Sequence, residues 1–138
     1  MNKLFIDTWG WLTLADAKEK QHTQVVELMK TASQSHVALF TSQAVLDETI
    51  TLLFRRLSPG QALELMERIL GLEELKIIAL TSDRFQKTVA LRKQYLDQGR
   101  ISFTDLSSCV IMDEYDIQHV LSEDHHFEIV HFGFCRLT

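Results

Sequence analysis

The run Lys3-Leu4-Phe5-Ile6-Asp7 is apolar, long enough for one strand, and closed by a carboxylate. Comparable runs recur at His36-Val37-Ala38-Leu39-Phe40, from Lys76 to Leu80 and from Ile117 to Leu121, with a fifth candidate from Glu128 to His131. The run at His36 lacks apolar–polar alternation, as expected of a strand buried on both faces of a parallel sheet. Helical spacing fills the intervals. It predicts one helix from Thr8 to about Ala17 and another from Gln21 to Ser33, with Val25, Met29 and Ala32 on one face. Ser42 can cap a third helix to about Leu57, striped by Leu46, Ile50, Leu53 and Leu57. Ser58-Pro59 restarts it with serine as N-cap and proline at the first helical position. Leu63, Met66 and Leu70 are the expected buried face of that fourth helix, and Gly71 its end. Ser82 is expected to cap a helix carrying Phe85, Val89 and Leu96 that stops at Gly99, and Thr104 to open another to about Glu114. Strands joined through helices imply right-handed crossovers. The expected class is α/β: a three-layer α/β/α domain around a central parallel sheet of four or five strands.

The length of 138 residues fits one domain spanning 1–138, large enough for a proper core. With 46% hydrophobic and 24% charged residues, disordered and fibrous classes drop out. No apolar run spans a bilayer and residues 1–6 lack a signal-peptide pattern, so a cytoplasmic protein without membrane contact is expected. Cys109 and Cys135 show no CxxC spacing and read as reduced thiols. Fourteen basic against nineteen acidic residues give a net charge of −5, which argues against a broad DNA-coating surface. Nucleic acid would need a local basic rim, or metal ions that invert the sign of an acidic cleft.

Open parallel sheets bind ligands at the carboxyl ends of their strands. Asp7 and Asp124 follow two such strands, Asp105 lies at a helix start, and Glu48 stands in the early turns of an apolar helix. Gathered at one edge, ionised pairs about 5 Å apart would repel by roughly 3 kcal/mol each at an effective dielectric of about 20. Hard cations with oxygen ligands, Mg²⁺ or Mn²⁺ rather than zinc, relieve this and can activate water against a phosphodiester. The plainer alternative is that these acids are caps and turn residues.

The local sequences bear on that choice. Phe5-Ile6-Asp7-Thr8-Trp9 resembles the opening strand of PIN domains, and Val45-Leu46-Asp47-Glu48 the family's glutamate-bearing helix. Ser102-Phe103-Thr104-Asp105 is similar to the third acidic motif, and Ser122-Glu123-Asp124-His125-His126-Phe127 to the closing one. All four occur in family order across nearly the whole chain. The resemblance implies a PIN-like fold and a Mg²⁺- or Mn²⁺-dependent ribonuclease acting on RNA. It also implies an antitoxin partner of the VapBC type and, in the family's helical region, homodimer contacts. It makes Asp7, Glu48, Asp105 and Asp124 the metal-binding, catalytic acids, with Thr8 and Ser122 as supporting hydroxyls. Asp47 adjoins Glu48, and periodicity alone does not say which of the two faces the cleft.

Other readings carry less. His125-His126 with Cys135 or His131 matches no structural zinc spacing, and Cys109 inside an amphipathic helix reads as a small buried hydrophobe. Trp9 and Trp11 could stack a base or pack the first helix; Arg55-Arg56, Arg84, Arg92-Lys93 and Arg100 are candidates for a basic rim. A nuclease of RNA maturation or structured DNA and a catalytically silent PIN-like module are the alternatives in function. Haloacid-dehalogenase-like phosphatases need an Asp-x-Asp that Thr8-Trp9 breaks, and receiver domains a lysine that Ser122-Glu123-Asp124 does not supply.

Overall fold

The computed structural model describes residues 1–98, 100–130 and 135–137. Its elements run β1 (Lys3–Ile6), α1 (Thr8–Ala15), α2 (His22–Gln34), β2 (Ala38–Ser42), α3 (Gln43–Arg56) and α4 (Pro59–Leu70). There follow β3 (Leu75–Ile78), α5 (Ser82–Gln94), α6 (Phe103–Glu114), β4 (His119–Leu121), α7 (His126–Ile129) and β5 (Cys135–Leu137). All four strand pairings are parallel, in the order β3-β2-β1-β4-β5. The sheet grows from β1 through β2 to β3 and then returns to the other side of β1. Right-handed crossovers therefore send α1–α4 to one face and α5–α6 to the other. The reversal of strand order falls between β1 and β4, where open sheets form a crevice at the carboxyl ends of their strands.

Local chemistry sets the element boundaries. Ser42 caps α3 by accepting from the Val45 amide at 3.0 Å, and Ser58 with Gln61 forms a capping box ahead of Pro59. α2 and α6 both end in a left-handed residue, His36 (φ 55) and Asp116 (φ 54). The next amide reaches back five residues in each case, Val37 N to Ala32 O at 2.9 Å and Ile117 N to Met112 O at 2.8 Å. These closures delay β2 and β4 past the expected starts at His36 and Ile117. α5 is capped by Thr81 rather than Ser82, since the Thr81 hydroxyl accepts from the Arg84 amide at 3.3 Å. It ends at Gln94; the expected stop at Gly99 lies outside the described residues.

Two expectations are corrected. The segment from Glu128 is not a strand: His126–Ile129 is helical, because the Asp124 carboxylate turns the chain by accepting from the His126 amide at 2.9 Å. His131 lies outside the described residues, and the fifth strand is Cys135–Leu137. On α4 the buried side chains are Ala62 and Ile69, whereas Leu63 and Leu70 stand 45% and 49% exposed. α4 carries two neighbouring apolar stripes, and a helix packed mainly against one other, α3, buries only one. Phe85 is likewise exposed, as is Leu96 beyond the end of α5.

The core centres on β1, whose Leu4, Phe5 and Ile6 are fully buried, and on Leu106, Ile111 and Met112 of α6. Gly10 lets α1 lie close against the crevice. A Cβ there would stand 3.0 Å from the Ile6 side chain, the Leu121 side chain and the Leu121 carbonyl oxygen. Gly10→Ala should therefore push α1 away from β1 and β4. Overpacking costs about 1–3 kcal/mol, of which better helix propensity returns up to about 1. Thermal unfolding is expected to show a net loss in melting temperature, and an unchanged or higher midpoint would contradict this packing.

Candidate metal centre

Asp7 follows β1 directly. Its amide donates to Leu121 O at 3.2 Å, carrying the β1–β4 pairing one residue beyond the strand. It occupies the N-cap of α1 without making a side-chain capping bond, so its carboxylate is free to face the crevice. Asp7 is only 6% exposed. The buried Ser122 hydroxyl just after β4 donates to Asp7 Oδ2 at 2.9 Å and accepts from the Asp124 amide at 3.0 Å. One hydroxyl thus ties the ends of β1 and β4 together.

The other acids come from separate elements. Asp105 completes a capping box on α6: its amide donates to Ser102 Oγ at 3.0 Å and its Oδ2 accepts from Ser102 N at 3.2 Å. Asp124 holds the start of α7. Glu48, six residues into α3, is exposed to solvent. With Asp7, Thr8, Asp105, Ser122 and Asp124 it lines one cavity of about 680 Å³. Asp47 is not among the described residues lining it. The chain therefore brings the four predicted acids and both predicted hydroxyls to a single place. Glu19 and Glu123 also line the cavity, and sequence reading offered no signal for either.

Electrostatics follow from this crowding. Burial first, then the Asp105 carboxylate, raises the Asp7 pKa from 3.8 to about 7, against the lowering effect of the Ser122 and Thr8 hydrogen bonds; Glu48 adds a smaller upward push. Burial and then Asp124 hold Asp105 above the ordinary carboxylate range, opposed by its bonds with Ser102. Among the described residues, Thr8 Oγ1 and His126 Nδ1 are the buried side-chain polar atoms without a hydrogen-bond partner. Thr8 belongs to the cavity wall, and His126 Nδ1 lies 2.7 Å from Asp124 Oδ1 and 3.6 Å from Asp105 Oδ2. Hard oxygen donors around one space, with orphaned polar atoms beside them, are a donor set that fits a divalent cation.

Several open readings resolve here. Trp11 is 1% exposed and donates to Thr41 Oγ1 at 3.2 Å, so it belongs to the core, whereas half-buried Trp9 lines the cavity. Arg84 is bound to Glu114 (2.9 Å) and to Ala79 O (2.9 Å), and Arg92 to the carbonyls of Tyr95, Gln98 and Ile101. Of the basic-rim candidates only Arg56 lines the cavity among the described residues. Cys109 is buried beneath the site, and burial with the nearby carboxylates pushes its thiol pKa up, which suits a packed hydrophobe rather than a nucleophile. Phe127 is fully buried, while His125 is exposed and faces Glu128.

Sheet order, crevice and carboxylate cluster define a PIN domain, and residues 4–133 match that family; the chain belongs to it. Its structure is similar to that of VapC20 from Mycobacterium tuberculosis, a toxin that cleaves the sarcin–ricin loop. The TM-score is 0.78 at 25% identity, covering 94% of this chain and 95% of that one. VapBC2 from Rickettsia felis, solved bound to a fragment of its promoter DNA, is similar in fold at TM-score 0.72 and 14% identity, over 98% and 97% of the chains. FitAcB from Neisseria gonorrhoeae is similar at TM-score 0.70 and 12% identity, over 98% and 96%. Comparison with curated proteins gives no match. PIN domains typically bind divalent metal, and Asp105, Asp124 and His126 offer ligand atoms within 4.8 Å of one another. Among the described residues no helix is long and apolar enough to cross a membrane.

The raised Asp7 pKa has a consequence for stability. Unfolded, Asp7 releases its proton near 3.8; folded, it keeps it to about 7. Between these values the native state binds more protons, so stability falls as pH rises. At about 1.4 kcal/mol per unit the loss is on the order of 4 kcal/mol at most. In EDTA the melting temperature is expected to drop between pH 5.5 and 8, and Asp7→Asn to flatten that drop and melt higher than wild type at pH 8. A variant whose profile tracks wild type would locate the strain elsewhere.

Proposed function

We propose that residues 1–138 work as one PIN-like domain, a Mg²⁺- or Mn²⁺-dependent endoribonuclease that hydrolyses RNA phosphodiesters. In this reading it is the toxin of a VapBC-like type II toxin–antitoxin pair in the cytoplasm. The observation that carries the reading is the meeting of Asp7, Glu48, Asp105 and Asp124, from four separate elements, in one cavity of a PIN domain. Similarity to a toxin described as cleaving an RNA loop supports the choice of substrate class.

The four acids would hold the ion. When bound, it supplies Lewis acidity at the phosphate and an activated water. The remaining work falls to the chain. Ser122 fixes the Asp7 carboxylate through its 2.9 Å bond, and Ser102 fixes Asp105, so neither has to be reoriented when the site fills. Thr8 Oγ1, buried and unpartnered, is free to orient a ligand beside Asp7. Arg56 supplies positive charge for a neighbouring phosphate, and Trp9 a ring on the same wall for a base. A protein partner is favoured by Phe54, Leu63, Leu70 and Leu72, all large and exposed, on α3, α4 and the turn beyond. An apolar cavity of about 160 Å³ between α1 and α4 adjoins them at Leu72. An antitoxin or a second copy of the chain would cover such a surface.

RNA cleavage is expected in Mg²⁺ or Mn²⁺, abolished by EDTA, and reduced at least ~100-fold by Asp7→Asn or Asp105→Asn. Glu48→Ala should lose activity while Asp47→Ala keeps it. Full activity in both aspartate variants would sink the proposed chemistry. In filter binding, Arg56→Gln should weaken RNA retention and flatten its salt dependence by about 0.7 in log–log slope, the share of one phosphate contact on a single strand.

A further inference from the structure

Building on the metal-dependent reading above, we infer that His126 is a nitrogen ligand of the same ion, making a mixed oxygen–nitrogen centre that favours Mn²⁺ over Mg²⁺. His126 Nδ1 lies 2.7 Å from Asp124 Oδ1 and 3.6 Å from Asp105 Oδ2. The approach to Asp124 is within ion-pair distance for a protonated ring, but it lacks hydrogen-bond geometry, which leaves buried Nδ1 without a hydrogen-bond partner. The N–H that Asp124 Oδ1 does accept is the backbone amide of His126, at 2.9 Å. In the tautomer with its proton on Nε2, the Nδ1 lone pair and the oxygens of Asp124 and Asp105 lie within 4.8 Å of one another, around a space that a cation would fill. The separations suit one ion: with bonds of about 2.1 Å, neighbouring ligand atoms on an octahedral centre stand about 3 Å apart.

The placement is built in by the chain. Ser122 Oγ accepts from the Asp124 amide, Asp124 accepts from the His126 amide, and the fully buried Phe127 pins the turn from within the core. The ring of His126 is thereby held against Asp105, 21 positions earlier in the sequence. His125 also lines the cavity, but its ring is exposed and its Nδ1 lies 3.8 Å from Glu128 rather than against Asp105 or Asp124. Of the transition-metal reading of the histidine pair, His126 alone is taken up, with aspartates as its companions and no thiolate. Imidazole is a softer donor than carboxylate or water and adds more to the binding of transition ions than to that of Mg²⁺.

Pulsed EPR of the full chain loaded with Mn²⁺ tests this without reference to activity. Wild type should show a coupling from a directly bound ¹⁴N that changes when the protein is labelled with ¹⁵N-histidine. The coupling should vanish in His126→Ala and His126→Gln and survive in His125→Ala. By calorimetry both His126 variants should bind Mn²⁺ at least ~10-fold more weakly, with a smaller change for Mg²⁺. Tight Mn²⁺ binding that depends on Asp7 and Asp105 but shows no nitrogen coupling in wild type would overturn the role of His126 and leave the carboxylate centre standing. Failure of wild type to bind Mn²⁺ or Mg²⁺ at all would overturn both.

Discussion

Asp7 must be buried at the junction of β1 and β4 while other carboxylates stand nearby, and most of the architecture answers that constraint. Its burial raises its pKa more than the charge of Asp105 does, and the same order holds for Asp105 with Asp124. Desolvation therefore outranks like-charge repulsion as the cost of this site. Like-charge repulsion, the effect that acidic residue types alone imply, is the smaller of the two. The distinction matters physically, because repulsion can be relieved by splaying side chains apart, whereas burial cannot be relieved without opening the sheet. On the proposed reading, an ion entering the cavity would meet acids that the backbone has already committed.

The commitment is made by hydrogen bonds that also serve the fold. Ser122 joins the two central strands through Asp7, Ser102 and Asp105 start α6, and Asp124 starts α7. The plain reading of these acids as caps and turn residues and the functional one are therefore compatible: Asp105 caps a helix and lines the cavity with the same carboxyl group. Removing one of them tests both roles at once, so charge-neutral isosteres such as Asp→Asn, which keep an acceptor oxygen, are the informative substitutions.

The parts legible in the sequence are those governed by local rules. Strand β1, the serine caps of α3 and α4, and the parallel α/β class follow from apolar runs and N-terminal signals within a few residues. What local rules do not contain was misplaced. The choice between the two apolar stripes of α4 depends on which face α3 offers, which no spacing within α4 records. The strand expected at Glu128 failed because the Asp124 side chain competes with the sheet for the backbone of the next residues. His126 takes part in the turn through its backbone amide, which donates to Asp124 Oδ1. Its proximity to Asp105 arises from tertiary packing between α6 and α7 and leaves no trace in linear spacing. That Glu48 rather than Asp47 lines the cavity follows from the rotation of α3, which linear spacing does not record either.

The net charge of −5 then takes on a specific meaning. Six carboxylates line the cavity against one arginine among the described residues, and Arg84 and Arg92, two of the other basic candidates, are bound to other parts of the fold. A polyanion approaching this surface meets an excess of acidic over basic side chains at the cavity. Arg56 cannot offset that alone, since one exposed cation contributes a single screened phosphate contact. On the proposed reading, RNA can settle in the cavity only when its charge has been inverted by divalent ions, so substrate binding and catalytic competence depend on the same event. A basic PIN domain could hold RNA with an empty centre; this acidic one would have affinity for RNA only in the state in which it can cut.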